Sequence, residues 1–430
     1  MGRNAGQNPK ALVTSWGFGL FVALALAGAA RSEVPGGGTA TTASDGTGAS
    51  PAEAPAGDST LRREVQADGS RLFRFHPIWN GSQQLKEFLA RYGLTYSLET
   101  AFYEQYASRV TQGQKNFGTF SWRLSASWRF WPTASLGAFF LETSFLGSPG
   151  LNYDPSLEVI TRNVGSISTL NGNIYPFGIA LDEVMVKYIS PSTEYVGGIG
   201  KVDLTNRFDT NRVANDSFRQ FIAFALENNL SIPWPVYGGL GGFARVNLGE
   251  NAYLSVGVAA SVVDRAFQFG RNIGDGNWIE MLELGAEFQV PGLGLGHYRL
   301  TPWHADFPDA EGWGVGVNFD QALGNPEVVS FFRFGYGEPS ATPIQTFASF
   351  GVTWLRPFGR ADEMAGVGFA WSNPSPGQGL QDETLIEVFY RFAILPWIHI
   401  SPDLQVVFHP ANDPKRGTVF VPGIRLSVSL

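Results

Sequence analysis

Between residues 203 and 216 the chain concentrates side chains that can give and take hydrogen bonds: Asp203, Asn206, Arg207, Asp209, Asn211, Arg212, Asn215 and Asp216. Carboxylates, amides and guanidinium groups in alternation offer acceptors and forked donors at close spacing. That mixture suits neutral hydroxyl-bearing molecules, whose water of hydration it can replace. A turn-rich surface loop has the same composition, and that reading stays open.

Other arrangements that carry chemistry are missing or weak. The 430 residues include no Cys, which removes thiolate metal sites, a cysteine nucleophile and disulfide staples. The glycine runs 238–242 and 292–296 do not sit between a parallel strand and a helix, as a phosphate cradle requires. His297, His304 and Asp306 have poor spacing for a metal, and no Gly-x-Ser-x-Gly elbow occurs. No enzyme, metal or cofactor is expected, and an acyl hydrolase in particular would need a Ser/His pair that is not found. The net charge of −8 speaks against nucleic acid as a partner.

The polar cluster must be positioned by something, and the surrounding pattern is strand-like. From residue 93 onward, segments of 8 to 13 residues alternate with period two. Near the end Ile424, Leu426 and Val428 alternate with Arg425, Ser427 and Ser429; Leu404 and Val406 alternate with Asp403 and Gln405; Ile386 and Val388 alternate with Glu387 and Phe389. The pattern predicts strands at 93–105, 118–130, 134–145, 181–189, 194–202, 239–248, 252–262, 279–289, 297–303, 313–319, 327–336, 345–355, 364–371, 384–394, 398–408 and 418–430.

A soluble sandwich that binds glycans is compatible with the alternation alone. Three features favour a membrane barrel. The polar parity is Gly, Ser and isolated charges, and only 16% of the chain is charged. Trp128, Phe130, Trp354, Trp371 and Trp397 recur near strand ends, where interfacial girdles sit. Connections after odd-numbered strands are long (106–117, 146–180, 203–238, 263–278, 304–312, 337–344, 372–383, 409–417), and those after even-numbered strands are shorter. The fold class is therefore all-β: a transmembrane antiparallel β-barrel of sixteen strands with short periplasmic turns, long external loops and a short N-terminal helix. A one-residue slip would turn Glu387, Arg391, Asp403 and Arg425 toward lipid, at about 2–4 kcal/mol for each midplane cation.

By parity Arg123, Arg129, Glu183, Lys187, Arg299, Arg333, Glu387, Arg391, Asp403 and Arg425 face the lumen, with Tyr103 and Phe389 as stacking faces. The segment 203–238 is the third external loop, and its Asp203, Asn206, Arg207, Asp209 and Arg212 are expected at a constriction. Arg391 and Asp403 are expected to pair across the 395–397 turn. For any single wall residue, keeping the wall wet and rigid is the simpler role.

Residues 1–30 read as a signal peptide: Arg3 and Lys10, an apolar Leu12–Leu26, then Ala27-Gly28-Ala29. A membrane anchor is the other reading of that stretch. Residues 31–60 read as a low-complexity linker, and 61–92 as a pre-barrel segment whose Gln83–Tyr92 helix follows Asn80-Gly81-Ser82, with Leu85, Phe88 and Leu89 on one face.

The chain also resembles a known family, the carbohydrate-selective porins (OprB type) of Gram-negative outer membranes. The resemblance lies in Gly200 to Asn211, Ala214 to Asp216, Phe218 to Phe221, Tyr298-Arg299-Leu300 with Trp303-His304, Gly366 to Pro374, Asp382 to Phe392, Ser401 to Val406 and Pro410-Ala411-Asn412. It implies passive diffusion of mono- or oligosaccharides, glucose-like sugars in particular, through a sixteen-stranded barrel in the bacterial outer membrane. A general or other-solute channel without sugar preference is the alternative. Outer-membrane lipid and the barrel-assembly machinery are the implied partners, and the oligomeric state, homotrimer or monomer, stays open. Two departures stand out: the chain ends in Leu430 where an aromatic is usual, and Pro422 predicts a bulge or break in the last strand.

Overall fold

A computed structural model describes residues 77–430 apart from 134, 152–158, 175–177, 264, 272–273, 275, 414 and 416; the signal-peptide, linker and 61–76 assignments lie outside these residues. Helix α1 (Pro77–Ala90) leads into β1 (Leu94–Tyr106), β2 (Asn116–Thr133) and β3 (Gly137–Gly147). After helix α2 (Val159–Val164) come β4 (Ala180–Ile189) and β5 (Tyr195–Val202), then a 3-10 turn (Leu204–Asn206) and the short helix α3 (Phe224–Glu227). The remaining strands are β6 (Gly239–Asn247), β7 (Ala252–Ala260), β8 (Trp278–Val290), β9 (Gly294–Phe307), β10 (Ala310–Leu323), β11 (Asn325–Gly337), β12 (Ile344–Leu355), β13 (Met364–Pro374), β14 (Glu383–Leu395), β15 (Ile398–Phe408) and β16 (Val419–Ser429).

The sixteen strands form one closed antiparallel barrel in which each strand pairs with its sequence neighbours and β1 closes on β16. Closure leaves no unpaired edge, which an apolar solvent demands. The seam continues to the end of the chain: Leu430 N–H donates to Leu98 O at 2.8 Å, and Leu98 N–H donates to Leu430 O at 2.9 Å. An aliphatic last residue therefore still completes the closing ladder.

The expected parity holds where it was strongest. Leu404, Ile424 and Leu426 are exposed on the outer face, whereas Gln405, Arg425 and Ser427 are buried on the inner one. Pro422 makes no bulge. The β15–β16 register runs unbroken through Leu404↔Pro422, while pairing with β1 stops at Gly423, so the missing N–H falls beyond that ladder.

Strand bounds shift most at β9 and β10. The connection expected at 304–312 contracts to Pro308 and Asp309, because both strands extend and Ala310 pairs with Phe307. This external connection is a tight turn, a correction to the long-loop pattern. Helix α1 begins at Pro77, so Asn80-Gly81-Ser82 lies inside it rather than before it. Among the girdle aromatics Trp128 is exposed, but Trp397 is buried and stacks on Trp79 with ring centroids 6.4 Å apart.

Candidate functional site: the pathway beside the third loop

Loop 203–238 lies against the inner face of the barrel wall, and its sequence dictates how. Asp203 caps the 3-10 turn, its carboxylate accepting from Thr205 N–H at 2.9 Å and from Thr205 Oγ1. Phe208 then seats against Gly257 of β7, where an added Cβ would come within 2.5 Å of the ring. Asp209 takes a left-handed φ of +54° and turns the chain onto β8, β10 and β11. Its N–H donates to Glu283 at 2.8 Å, and its carboxylate accepts from Arg333 Nε at 3.0 Å and from Asn318 Nδ2 at 2.9 Å.

The tip reaches the opposite seam. Ser217 O accepts from Tyr103 Oη at 2.9 Å and from Arg425 at 2.6 Å. On the return, Phe221 packs edge-on to Phe331 and Phe389 at 5.4 and 5.0 Å. Glu387 accepts the backbone N–H groups of Ile222 and Ala223 at 2.5 and 2.9 Å. Gly366 and Gly368 of β13 leave room for Phe221 and Leu226. Several lumen-facing glycines are thus sockets for the loop, not wetted wall.

The second external loop packs beside it in the same manner. Glu383 accepts from the Ser166 and Ser168 hydroxyls and from the N–H groups of Ile167 and Ala411. Leu170 O accepts from Gln105 and Gln405. Buried apolar residues of both loops, among them Val164, Leu170, Phe221 and Leu226, form one cluster with wall residues Phe331, Phe347 and Phe389. Burial pushes the Glu227 carboxyl well above its ordinary range, and the nearby charge of Asp216 adds to this.

Along the loop's free edge charged side chains gather in three groups, in which Glu183 and Asp320 are buried and their partners are partly open. In the first, Arg123 lies 2.6 Å from Glu99 and 3.6 Å from Asp216, and Arg219 lies 3.0 Å from Glu99. In the second, Arg207 lies 3.4 Å from Glu183 and 3.6 Å from Glu142, which also pairs with Lys187 at 2.8 Å. In the third, Asp320 meets His297, Arg212 and Arg299 at 2.7, 3.3 and 3.5 Å. A cavity of about 1350 Å³ spans both loops and is lined by Arg123, Asp203, Asn206, Asp216, Phe218 and Trp234 among others.

The sequence-derived candidates therefore separate into two sets. Asp203, Asn206, Arg207, Arg212, Arg123, Glu183, Lys187 and Arg299 belong to this open edge or line the cavity. Asp209, Arg333, Glu387 and Arg425 are buried and spend their hydrogen-bonding capacity on the loop backbone. They fasten the loop, and Arg333, Glu387 and Arg425 lie beneath it. Asp403 is buried on the same wall, with Phe389, not Arg391, opposite it. The expected Arg391–Asp403 pair is replaced by bonds from Arg391 to the carbonyls of Arg219 and Asp362. Tyr103 and Phe389 stack or bond to the loop and offer no face to a sugar.

Glu99, Glu142, Arg219 and Asp320 were missed. Glu99 shares the parity of Ala101 and Tyr103 on β1, so the alternation rule already pointed inward there.

A closed sixteen-stranded barrel with an apolar outer face, a charged inner face and loops packed inside is a porin-type outer-membrane channel architecture. Residues 304–430 match the family described as Carbohydrate-selective porin, OprB family, in agreement with the resemblance read from the sequence. Among solved structures, OprB of Pseudomonas putida at high pH superposes with a TM-score of 0.67 at 14% identity, covering 82% of this chain and 97% of that one, which establishes the shared fold. Among curated proteins, Porin AaxA of Chlamydia pneumoniae is 25% identical over 235 residues, 50% of this chain and 51% of that protein. Porin AaxA of Chlamydia felis is 23% identical over 350 residues, 76% and 75% of the two chains. The match spans about half the length of the first of these relatives. Both matches, the family model over residues 304–430 and the shared fold, are to OprB-type proteins.

Proposed function

We propose that the chain is an outer-membrane porin through which carbohydrates, glucose-like sugars among them, diffuse passively, and that the in-folded third loop narrows the pathway. The observation that carries this reading is the free edge of loop 203–238, where Arg123, Arg207 and Arg212 each stand beside a carboxylate. Salt-bridged Arg and carboxylate neutralise one another's fields yet keep spare donors and acceptors. An uncharged polyol can exchange its water for these groups without a net electrostatic barrier, whereas an ion gains less from a balanced rim. The family match of residues 304–430 supports the same substrate class. Export by a signal peptide within residues 1–30 and insertion by the barrel-assembly machinery complete the reading. The test is ion current through single channels in a planar bilayer as glucose is added. Reversible, saturable current reduction is expected; a current that follows bulk conductivity alone would favour the general or other-solute channel.

A further inference from the structure

Helix α1 shows two unlike faces. One side holds it to the barrel rim: Trp79 stacks on Trp397, Ser82 Oγ lies 3.2 Å from Tyr96 Oη, and Lys86 Nζ lies 5.5 Å from the Tyr96 ring centre. Tyr96 shares the outward parity of Phe102 on β1, and Trp397 lies in the turn between β14 and β15 at the same end of the barrel. The helix therefore packs against the periplasmic rim beside β1 and the β14–β15 turn, where Tyr96 points outward.

Its other side is apolar and uncovered. Ile78, Leu85, Phe88 and Tyr92, on one stripe at helical spacing, are 58%, 47%, 51% and 66% exposed. Gln84 and Arg91, four before and three after Phe88, lie at the edge of this stripe, and Glu87 lies beyond them on the polar side. The helix ends at Ala90, and the turn that follows reaches Gly93, whose carbonyl accepts from Arg129 N–H at 2.8 Å. The neighbouring Trp128, Phe130 and Trp131 are exposed on the lipid-facing side of β2. The apolar stripe is thus continuous with the lipid-facing wall, at the depth where aromatic side chains meet headgroups.

We infer that α1 is an interfacial anchor whose Ile78–Leu85–Phe88–Tyr92 face inserts into the periplasmic phospholipid leaflet beside the barrel. Lipid is the occupant that the continuity selects, and Arg91 stands at the edge of the stripe, where a long basic side chain reaches phosphate. The inference is independent of which solute the channel passes.

The absence of Cys makes the test direct. Single Leu85→Cys, Phe88→Cys and Glu87→Cys variants of the full chain carry an environment-sensitive fluorophore in phosphatidylethanolamine/phosphatidylglycerol vesicles, with heat-modifiable migration confirming the barrel. Labels at 85 and 88 are expected to emit to the blue and to be quenched several-fold more by brominated acyl chains than by aqueous iodide, with the reverse at 87. Iodide quenching at 85 and 88 equal to that at 87 would overturn the inference. Protection of 85 and 88 from both quenchers would overturn it too, since the stripe would then be covered by protein.

Discussion

Arg333 Nε lies 3.0 Å from Asp209 Oδ2, and the two side chains are 0% and 1% exposed. Arg333 also donates to the carbonyls of Leu226 and Ala214, so one guanidinium on β11 holds both limbs of the third loop. Removing one member of a buried pair strands the other, at about 3–5 kcal/mol. Arg333→Ala should therefore free the loop while the sixteen-stranded ladder persists. The expected result is a larger, noisier single-channel conductance and new protease cleavage within 203–238, with unchanged heat-modifiable migration.

The glycine sockets predict the same outcome by a different route. At Gly366 and Gly368 an added Cβ would press on Phe389 and Leu226 respectively, at 2.5 and 2.7 Å. Gly368→Val should displace the loop by overpacking, typically about 1–3 kcal/mol. Gly178, with nothing within 4 Å, is the control, and Gly178→Ala should leave conductance at the wild-type level.

The open edge predicts separable effects on ions and sugars. Arg207→Ala leaves Glu142 and Glu183 without that partner, and Arg212→Ala removes one cation from Asp320. Both should shift reversal potentials toward cation selectivity and lower sugar flux more than ion conductance. Unchanged flux in both variants would leave the edge without a role in sugar passage.

Glu227 supplies a pH dependence with a definite sign. Its folded-state carboxyl is raised well above the ordinary 4.5 by burial, then by Asp216. Between 4.5 and that raised value the folded chain holds the extra proton, so this group's contribution to stability falls as pH rises through the window. Glu227→Gln should flatten that part of the stability–pH curve, measured by thermal loss of the heat-modifiable form across pH.

Barrel and register were legible because lipid enforces strict alternation: Leu404, Ile424 and Leu426 could not be exchanged with Asp403, Arg425 and Ser427. The burial of Arg333, Glu387 and Arg425 was not legible. Parity states that a side chain points inward, but not whether water or a returning loop meets it there. The loop's own apolar residues, Phe221 and Leu226, were the signal that part of the wall is covered, and the facing Gly366 and Gly368 completed it. The contraction of 304–312 was hidden because Pro308-Asp309 in a tight turn reads like part of a longer loop.

The central claim is sugar passage through a pathway narrowed by the third loop, and osmotic swelling of liposomes bearing the full-length chain tests it most directly. Rates are compared for glucose, a disaccharide and an amino acid of similar size to glucose. The account predicts that glucose enters faster than its size alone allows and that Arg333→Ala abolishes this preference. Equal rates after size correction in the wild-type channel would contradict it.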